Sequence, residues 1–319
     1  MNGLTKFLLV LLRIAIGWHL LYEGVWKLDE TYYHAKPFSA EMYLRNSTGP
    51  MRDYFRGLVD DFHGHGWLDG QVVTDRWKAE AQTFEDFYAF DQSQVTAVDK
   101  DIAELSQKVN DYLAKEETAK EIASYKEAVA KWEEEDATPS PSFERDRLKK
   151  SQGKLFAEQR ELVGPVKEWD EEFHRKLIGT RTDEQQKKGL PPVKWQERSK
   201  LDQINLTTMW GLAILGGCLV LGLFSRLSAL GAVGLLAMFY LSMPPWPGLP
   251  LTPKAEGHYL IVNKNLIEMF ALLVLATVPT GVWGGLDALI RAFITRPLFG
   301  IGKEPAPAEA SAPSEEASK

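Results

Sequence analysis

Two ionisable residues stand inside stretches that are otherwise apolar enough to cross a bilayer, Arg13 in LLVLLRIAIGWHLL and Glu268 in NLIEMFALLVLA. An ionised side chain at mid-depth costs at least ~2.5 kcal/mol and persists only when paired or solvated. At a rise of ~1.5 Å per residue, Arg13 falls about 10 Å in from the cytoplasmic end of the first stretch and Glu268 about 15 Å in from the same side of the last. Their depths differ by less than their combined reach, so the two are expected to neutralise each other. Nearer the outer face, Glu23 and Lys264 come to similar depths, with His19 one turn below Glu23 and Lys27 one turn above it on the same helical face. Such a set suits a polar pocket that takes a quinone-like head group or a small anion. The competing reading is a group of buried ion bridges that fix helix register, since structural pairs perturb titration as readily as functional ones.

Other reactive side chains point to less. His19 has the chemistry of a haem ligand, but no second His lies in an apolar stretch to serve as the other axial ligand. The lone cysteine, Cys218, has no partner thiol for a dithiol relay and reads as a small packing residue beside Gly217 and Gly222. His63 and His65, with Asp60, Asp61 and Asp69 nearby, lack the i,i+4 spacing of a helical metal site, so no metal is assigned. Asn46 in NST and Asn205 in NLT match a glycosylation sequon that is common by chance. No complete catalytic constellation is present, and catalytic residues are therefore unknown.

The elements that must position these groups are helices. The chain has 319 residues and a net charge of −7, and its slightly negative average hydropathy is the mean of two unlike populations. Apolar stretches run from Phe7 to Trp26, Leu206 to Phe224, Leu227 to Met243 and Tyr259 to Val278. Each approaches the ~20 residues needed for a ~30 Å hydrocarbon layer. They show no period-two alternation, which excludes a barrel and leaves helices. The opening MNGLTKFLLVLL also has the basic and apolar regions of a signal peptide, but Arg13 interrupts the apolar core and no A-x-A site follows, so the first helix is expected to be retained. Lys6, Arg226, Arg291, Arg296 and Lys303 fall on one side of the membrane, which places both termini in the cytoplasm.

Between the first and second apolar stretches lies a polar insert whose mixed charges, as in KDIAELSQK and FERDRLKK, form no basic nucleic-acid stripe. Nucleic acid is not an expected partner. Residues 29–70 read as short interfacial helices. From Thr74, a candidate cap, Val95, Val98, Ile102, Leu105, Val109 and Tyr112 recur at spacings of three and four, followed by Ile122, Tyr125, Val129 and Trp132. DATPSPS marks a reversal, and Leu155, Leu162, Val166, Trp169, Phe173 and Leu177 form a returning stripe in which Gly164 and Pro165 should kink or restart the helix. The pattern predicts a coiled-coil-like antiparallel hairpin whose surface offers a docking place for a protein partner.

The predicted fold is all-α: a four-helix transmembrane bundle with a large helical extracytoplasmic insert between helices 1 and 2. Residues 1–28 form the first transmembrane helix, 29–204 the insert, 205–285 transmembrane helices 2 to 4, 286–300 an interfacial helix, and 301–319 a disordered Pro/Ala/Glu/Ser-rich tail.

LLRIAIGWHLLYEGVWKL, GLAILGGCLVLGLFSRLSALGAVGLLAMFYL and EGHYLIVNKNLIEMFALLVLA resemble the membrane segments of the bacterial DoxX family. The likeness rests on Arg13, Gly17, Gly24 and Lys27 in the first segment, Gly222 and Arg226 at the basic turn, and Lys264, Asn265 and Leu266 in the last. It covers the membrane part only and implies a multi-pass protein of the bacterial inner membrane. Some members are subunits of thiosulfate:quinone oxidoreductases, others are linked to membrane redox or thiol homeostasis, and distant animal relatives assist assembly of membrane proteins. The long insert and the absent thiol pair depart from the compact pattern and leave independent redox catalysis in doubt. The expectation is a membrane subunit of a quinone-linked redox or sulfur-compound system, its catalytic status left open, with quinone as the candidate cofactor and Arg13, His19, Glu23, Lys27, Lys264, Asn265 and Glu268 as candidate residues for binding a quinone or small anion. The alternative is a non-enzymatic scaffold or assembly factor that grips a periplasmic partner through its insert.

Overall fold

In the computed structural model, residues 1–34, 37–137, 141–250 and 260–295 are described. Among them the protein is all-helical, without β-strands. Chain contacts divide it into two compact units, one of Met1–Phe38, Leu206–Phe239 and Lys264–Lys319, the other of Ser39–Asn205 and Tyr240–Asn263.

The first unit holds the apolar helices α1 (Gly3–Tyr33), with α9 (Lys200–Leu221) and α10 (Ser225–Ser242) following the insert. These three are long and apolar enough to cross a membrane. Their outward faces carry large apolar side chains such as Phe7, Trp18, Trp210 and Leu227. A surface of this kind fits lipid rather than water. The last apolar stretch folds differently: α11 (Lys264–Thr277) has 14 residues, or about 21 Å, and is followed by the short α12 (Thr280–Gly284) and α13 (Asp287–Ile290). Helix does not extend back from Lys264 through Leu260, which has φ +59°, and the Ile261 carbonyl accepts from the Tyr240 hydroxyl at 2.7 Å. Ile16, Leu20, Leu212, Leu219, Leu236, Leu272 and Leu275 fill the common core of α1, α9, α10 and α11.

The α1–α9 contact is made by backbone against backbone. A side chain at Gly24 would overlap the Ala213 main chain, and a Cβ at Gly17 would lie 2.8 Å from the Val220 nitrogen. Small residues are what allow such an approach, in lipid especially. After α13 a single π turn covers Arg291–Thr295, with Leu286, Leu289 and Phe293 exposed. The rest of the predicted interfacial helix, and the 301–319 tail, lie outside the described residues.

The second unit contains two short helices, α2 (Glu41–Arg45) and α3 (Arg52–Arg56), then α4 (Gly70–Tyr88), α5 (Gln92–Ala114), α6 (Glu116–Ala137), α7 (Ser142–Gly179) and the single turn α8 (Asp183–Gln186). A 3₁₀ turn, Trp195–Glu197, leads toward α9. Helix α7 is about 57 Å long and serves two cores. Its first half packs Leu148, Leu155 and Leu162 against Ile122, Tyr125, Val129 and Trp132 of α6. Its second half packs Val166, Phe173 and Leu177 against α4 and α5, with Trp77 stacked on Phe173 and its indole N–H donating to Asp170 at 2.8 Å.

Three local expectations are corrected. The predicted hairpin is a four-helix array, because the outgoing segment is broken at Ala89, held at φ +52°, and again at Lys115. The cap of α4 is Asp69, whose carboxylate accepts from the Gln71 and Val72 amides, while Thr74 lies inside the helix and donates to the Gly70 carbonyl. Helix α7 runs unbroken through Gly164 and Pro165, because the buried Leu162, Val163 and Val166 around them anchor both sides of the proline in packed cores. The loop after α10 differs too, since residues 240–263 group with the insert rather than with the membrane helices.

Candidate functional site

Helix α1 presents Arg13, Ile16, Gly17, Leu20 and Gly24 as its buried face, the i, i+3, i+4, i+7, i+11 series. Arg13 is only 1% exposed. Its Nη2 donates to the Gly284 carbonyl at 2.8 Å, and Nη1 packs against Gly222, which has φ +66° and where a Cβ would stand 2.5 Å away. Asp287 supplies the nearby opposite charge. The same carboxylate accepts from the Phe224 amide at 2.6 Å, the Ser225 amide at 2.9 Å and the Ser225 hydroxyl at 2.7 Å, and so caps α10 from a distant part of the chain. The expected pairing of Arg13 with Glu268 is not formed. The helix-terminal turns around Gly222 and Gly284 offer the guanidinium a carbonyl and a carboxylate at its own level, and α11 does not.

Glu268 instead meets His19, with Oε1 2.9 Å from Nδ1. The contact has ion-pair distance without hydrogen-bond alignment, and the buried Oε2 of Glu268 has no hydrogen-bond partner. One turn further along α1, Lys27 pairs with Glu23, while its ammonium lies 5.5 Å from the ring centres of both Trp26 and Phe38. Lys264 is within electrostatic reach of Glu23. Asn265 is half-buried on α11 and its side chain makes no hydrogen bond among the described residues. Of the seven residues singled out by sequence, then, His19 and Glu268 touch directly, Glu23 and Lys27 pair within one helix, Lys264 acts on Glu23, and Arg13 is tied up elsewhere. An imidazole beside a carboxylate with a free oxygen, set among apolar helices, can give and take a proton at a bound carbonyl or hydroxyl group.

The remaining candidates are occupied locally. His63 Nε2 lies 3.0 Å from Glu133, and burial, outweighing that carboxylate, lowers its pKa. Asp61 accepts from the Gly66 amide at 2.9 Å and Asp69 caps α4, so neither turns toward the histidines. Among the described residues no group of three or more His, Cys, Asp or Glu could hold a metal ion. Cys218 is half-buried and unpaired. Both sequon asparagines are engaged: Asn46 Oδ1 accepts from Lys149 Nζ at 2.7 Å, and Asn205 Oδ1 accepts from the Ala40 amide at 2.8 Å.

Arg45 escapes a sequence reading. Its guanidinium lies 4.1 Å from the centre of the Phe156 ring and donates to the Phe62 carbonyl at 2.7 Å, joining α2 to α7. Its local pattern shows only an i,i+4 pair with Glu41, because Phe156 and Gln159 lie over a hundred positions away. Comparison with protein-family models, with curated proteins and with solved structures finds no match to this chain.

Proposed function

We propose that the protein is a DoxX-like integral membrane subunit of the bacterial inner membrane, with four membrane helices, and that His19 and Glu268 form a proton-exchanging contact for a quinone head group in a membrane redox system. The observation that carries the reading is the 2.9 Å approach of His19 to Glu268 between α1 and α11, with one Glu268 oxygen left unpartnered. A buried acceptor without a donor carries a desolvation cost of about 1–3 kcal/mol, which a protonated ligand would relieve. Glu23, Lys27, Lys264 and Asn265 would set the charge and polarity around that head group, and Arg13 would hold the bundle. The resemblance in LLRIAIGWHLLYEGVWKL and the K-N-L of α11 supports the same assignment.

The test is extraction of the full chain in mild detergent, followed by chromatography of the bound lipids. Quinone should co-purify in near-stoichiometric amount with the wild type and fall at least tenfold in Glu268→Gln and His19→Phe. Absence of quinone from well-folded wild type, or equal content in both variants, overturns the reading.

A second reading is a scaffold or assembly factor in which the insert, part of a compact unit with two packed cores, docks a periplasmic partner. On that reading, removal of residues 70–179 abolishes co-purification of a partner while lipid content stays unchanged.

A further inference from the structure

A cavity of about 410 Å³ lies within the insert unit, where α3, the end of α6 and the start of α7 converge. Arg52, Arg56, Arg145 and Lys149 reach its wall, Trp132 forms an apolar side, and Asp136 is the one carboxylate among its described lining residues. That carboxylate is already shared. Arg52 Nη1 donates to Asp136 Oδ1 at 3.1 Å and Arg56 Nη1 to Oδ2 at 2.6 Å. The hydrogen bonds of Lys149 run to neutral oxygens, of Asn46 at 2.7 Å and Gln152 at 3.1 Å. The Arg145 guanidinium makes no hydrogen bond or ion pair among the described residues, and its Nε is buried. The buried Nε of Arg56 likewise has no partner.

Four cations thus face one lining carboxylate, which bridges Arg52 and Arg56 and leaves Arg145 and Lys149 without an ion pair among the described residues. The half-buried guanidinium loses solvation that no described hydrogen bond returns, and the largely buried ammonium is met by neutral oxygens without an ion pair. The volume falls within the ~300–1,000 Å³ typical of small-molecule sites. Arginine forks recognise oxyanions through paired N–H donors. We propose that this cavity is a binding site for a small oxyanion bearing two negative charges, held by Arg145 and Lys149 and braced by the Arg52–Asp136–Arg56 bridge. The charge of the ligand follows from Arg145 and Lys149, the two cations that no described carboxylate pairs. Its source is either a free phosphate-type solute or the head group of an acidic lipid. This site is separate from the His19–Glu268 contact and does not depend on the function proposed for it.

The experiment titrates full-length protein in detergent with inorganic phosphate and, separately, with dihexanoyl phosphatidic acid, reading thermal stability and heat of binding. A saturable stabilisation by either probe that weakens at least tenfold in Arg145→Gln/Lys149→Gln supports the proposal, and the better probe identifies the source. Arg145→Gln alone touches no partner, so it keeps the fold and raises the melting temperature of the ligand-free protein. Failure of both probes to bind saturably, or equal binding by the double variant, overturns it.

Discussion

Glu268 Oε1 lies 2.9 Å from His19 Nδ1, so the carboxylate of α11 is matched to an imidazole and not to the guanidinium of Arg13. The ionisable groups on α1 and α11 therefore divide into two kinds. Arg13 is buried and donates to the Gly284 carbonyl among tight turns, whereas His19 and Glu268 keep partial exposure beside an unpartnered carboxylate oxygen. The first arrangement resists exchange with a ligand, and the second permits it.

Arg13→Leu should destabilise the membrane unit by about 3–5 kcal/mol, since it strands Asp287 without its nearby cation and the Gly284 carbonyl without a donor. Arg13→Lys should recover part of this, because one ammonium replaces the charge but not the fork. Thermal unfolding in detergent reads both. A loss below about 1 kcal/mol for Arg13→Leu would show that Asp287 caps α10 unaided.

Glycine-to-alanine changes should move stability in opposite directions at two sites. At Gly24 the new methyl meets the Ala213 backbone and must push α1 from α9, at a cost of about 1–3 kcal/mol. At Gly153, within α7 and followed by Lys154, a methyl meets nothing within 4 Å, so the helix gains about 1 kcal/mol from the lost freedom of the unfolded chain. The pair of melting curves checks the close approach and the continuity of α7 together.

Asp69→Ala should cost about 1 kcal/mol by leaving the first amides of α4 without an acceptor. Thr74→Ala should leave those amides capped, because its hydroxyl bonds the Gly70 carbonyl within the helix and the Ser106 hydroxyl on α5. Faster hydrogen exchange at the Gln71 and Val72 amides in Asp69→Ala and not in Thr74→Ala checks the assignment, and the opposite pattern would return the cap to Thr74.

Helical periodicity made the insert legible where one face stays buried: Val98, Ile102, Leu105 and Val109 on α5, and Ile122, Tyr125, Val129 and Trp132 on α6, all occupy cores. It did not reveal the break at Ala89, because the apolar spacing carries across a residue whose left-handed backbone leaves no mark in hydropathy. Nor did Pro165 end α7, since packing on both sides outweighs one lost hydrogen bond. Depth along a helix placed Arg13 and Glu268 inside apolar segments but could not pair them, because pairing depends on helix rotation and on turns as distant as Gly222 and Gly284. The cationic cavity was invisible for a similar reason: Arg52, Arg56, Arg145 and Lys149 come from two separate segments and read locally as ordinary solvated charges.

Lys149 gives the insert a pH dependence of definite sign. Burial, with Arg56 adding and Asp136 opposing, pushes its pKa down from 10.5 to about 8. Between these values the unfolded chain binds more proton than the folded one, so stability rises with pH across that window. Below about pH 8 the folded state carries the full cost of a buried ammonium, on the order of 2 kcal/mol, and above 10.5 the cost is gone. Lys149→Gln should therefore be more stable than wild type near neutral pH, with the two melting temperatures converging by about pH 10. Saturation with the oxyanion should reverse the difference, because the ammonium then has a counter-charge and wild type gains where the variant does not. Melting curves from about pH 7 to about pH 10, with and without phosphate, measure both effects. A constant gap across that range would mean that Lys149 stays protonated in the folded chain and that the cavity is more solvated than its lining residues imply.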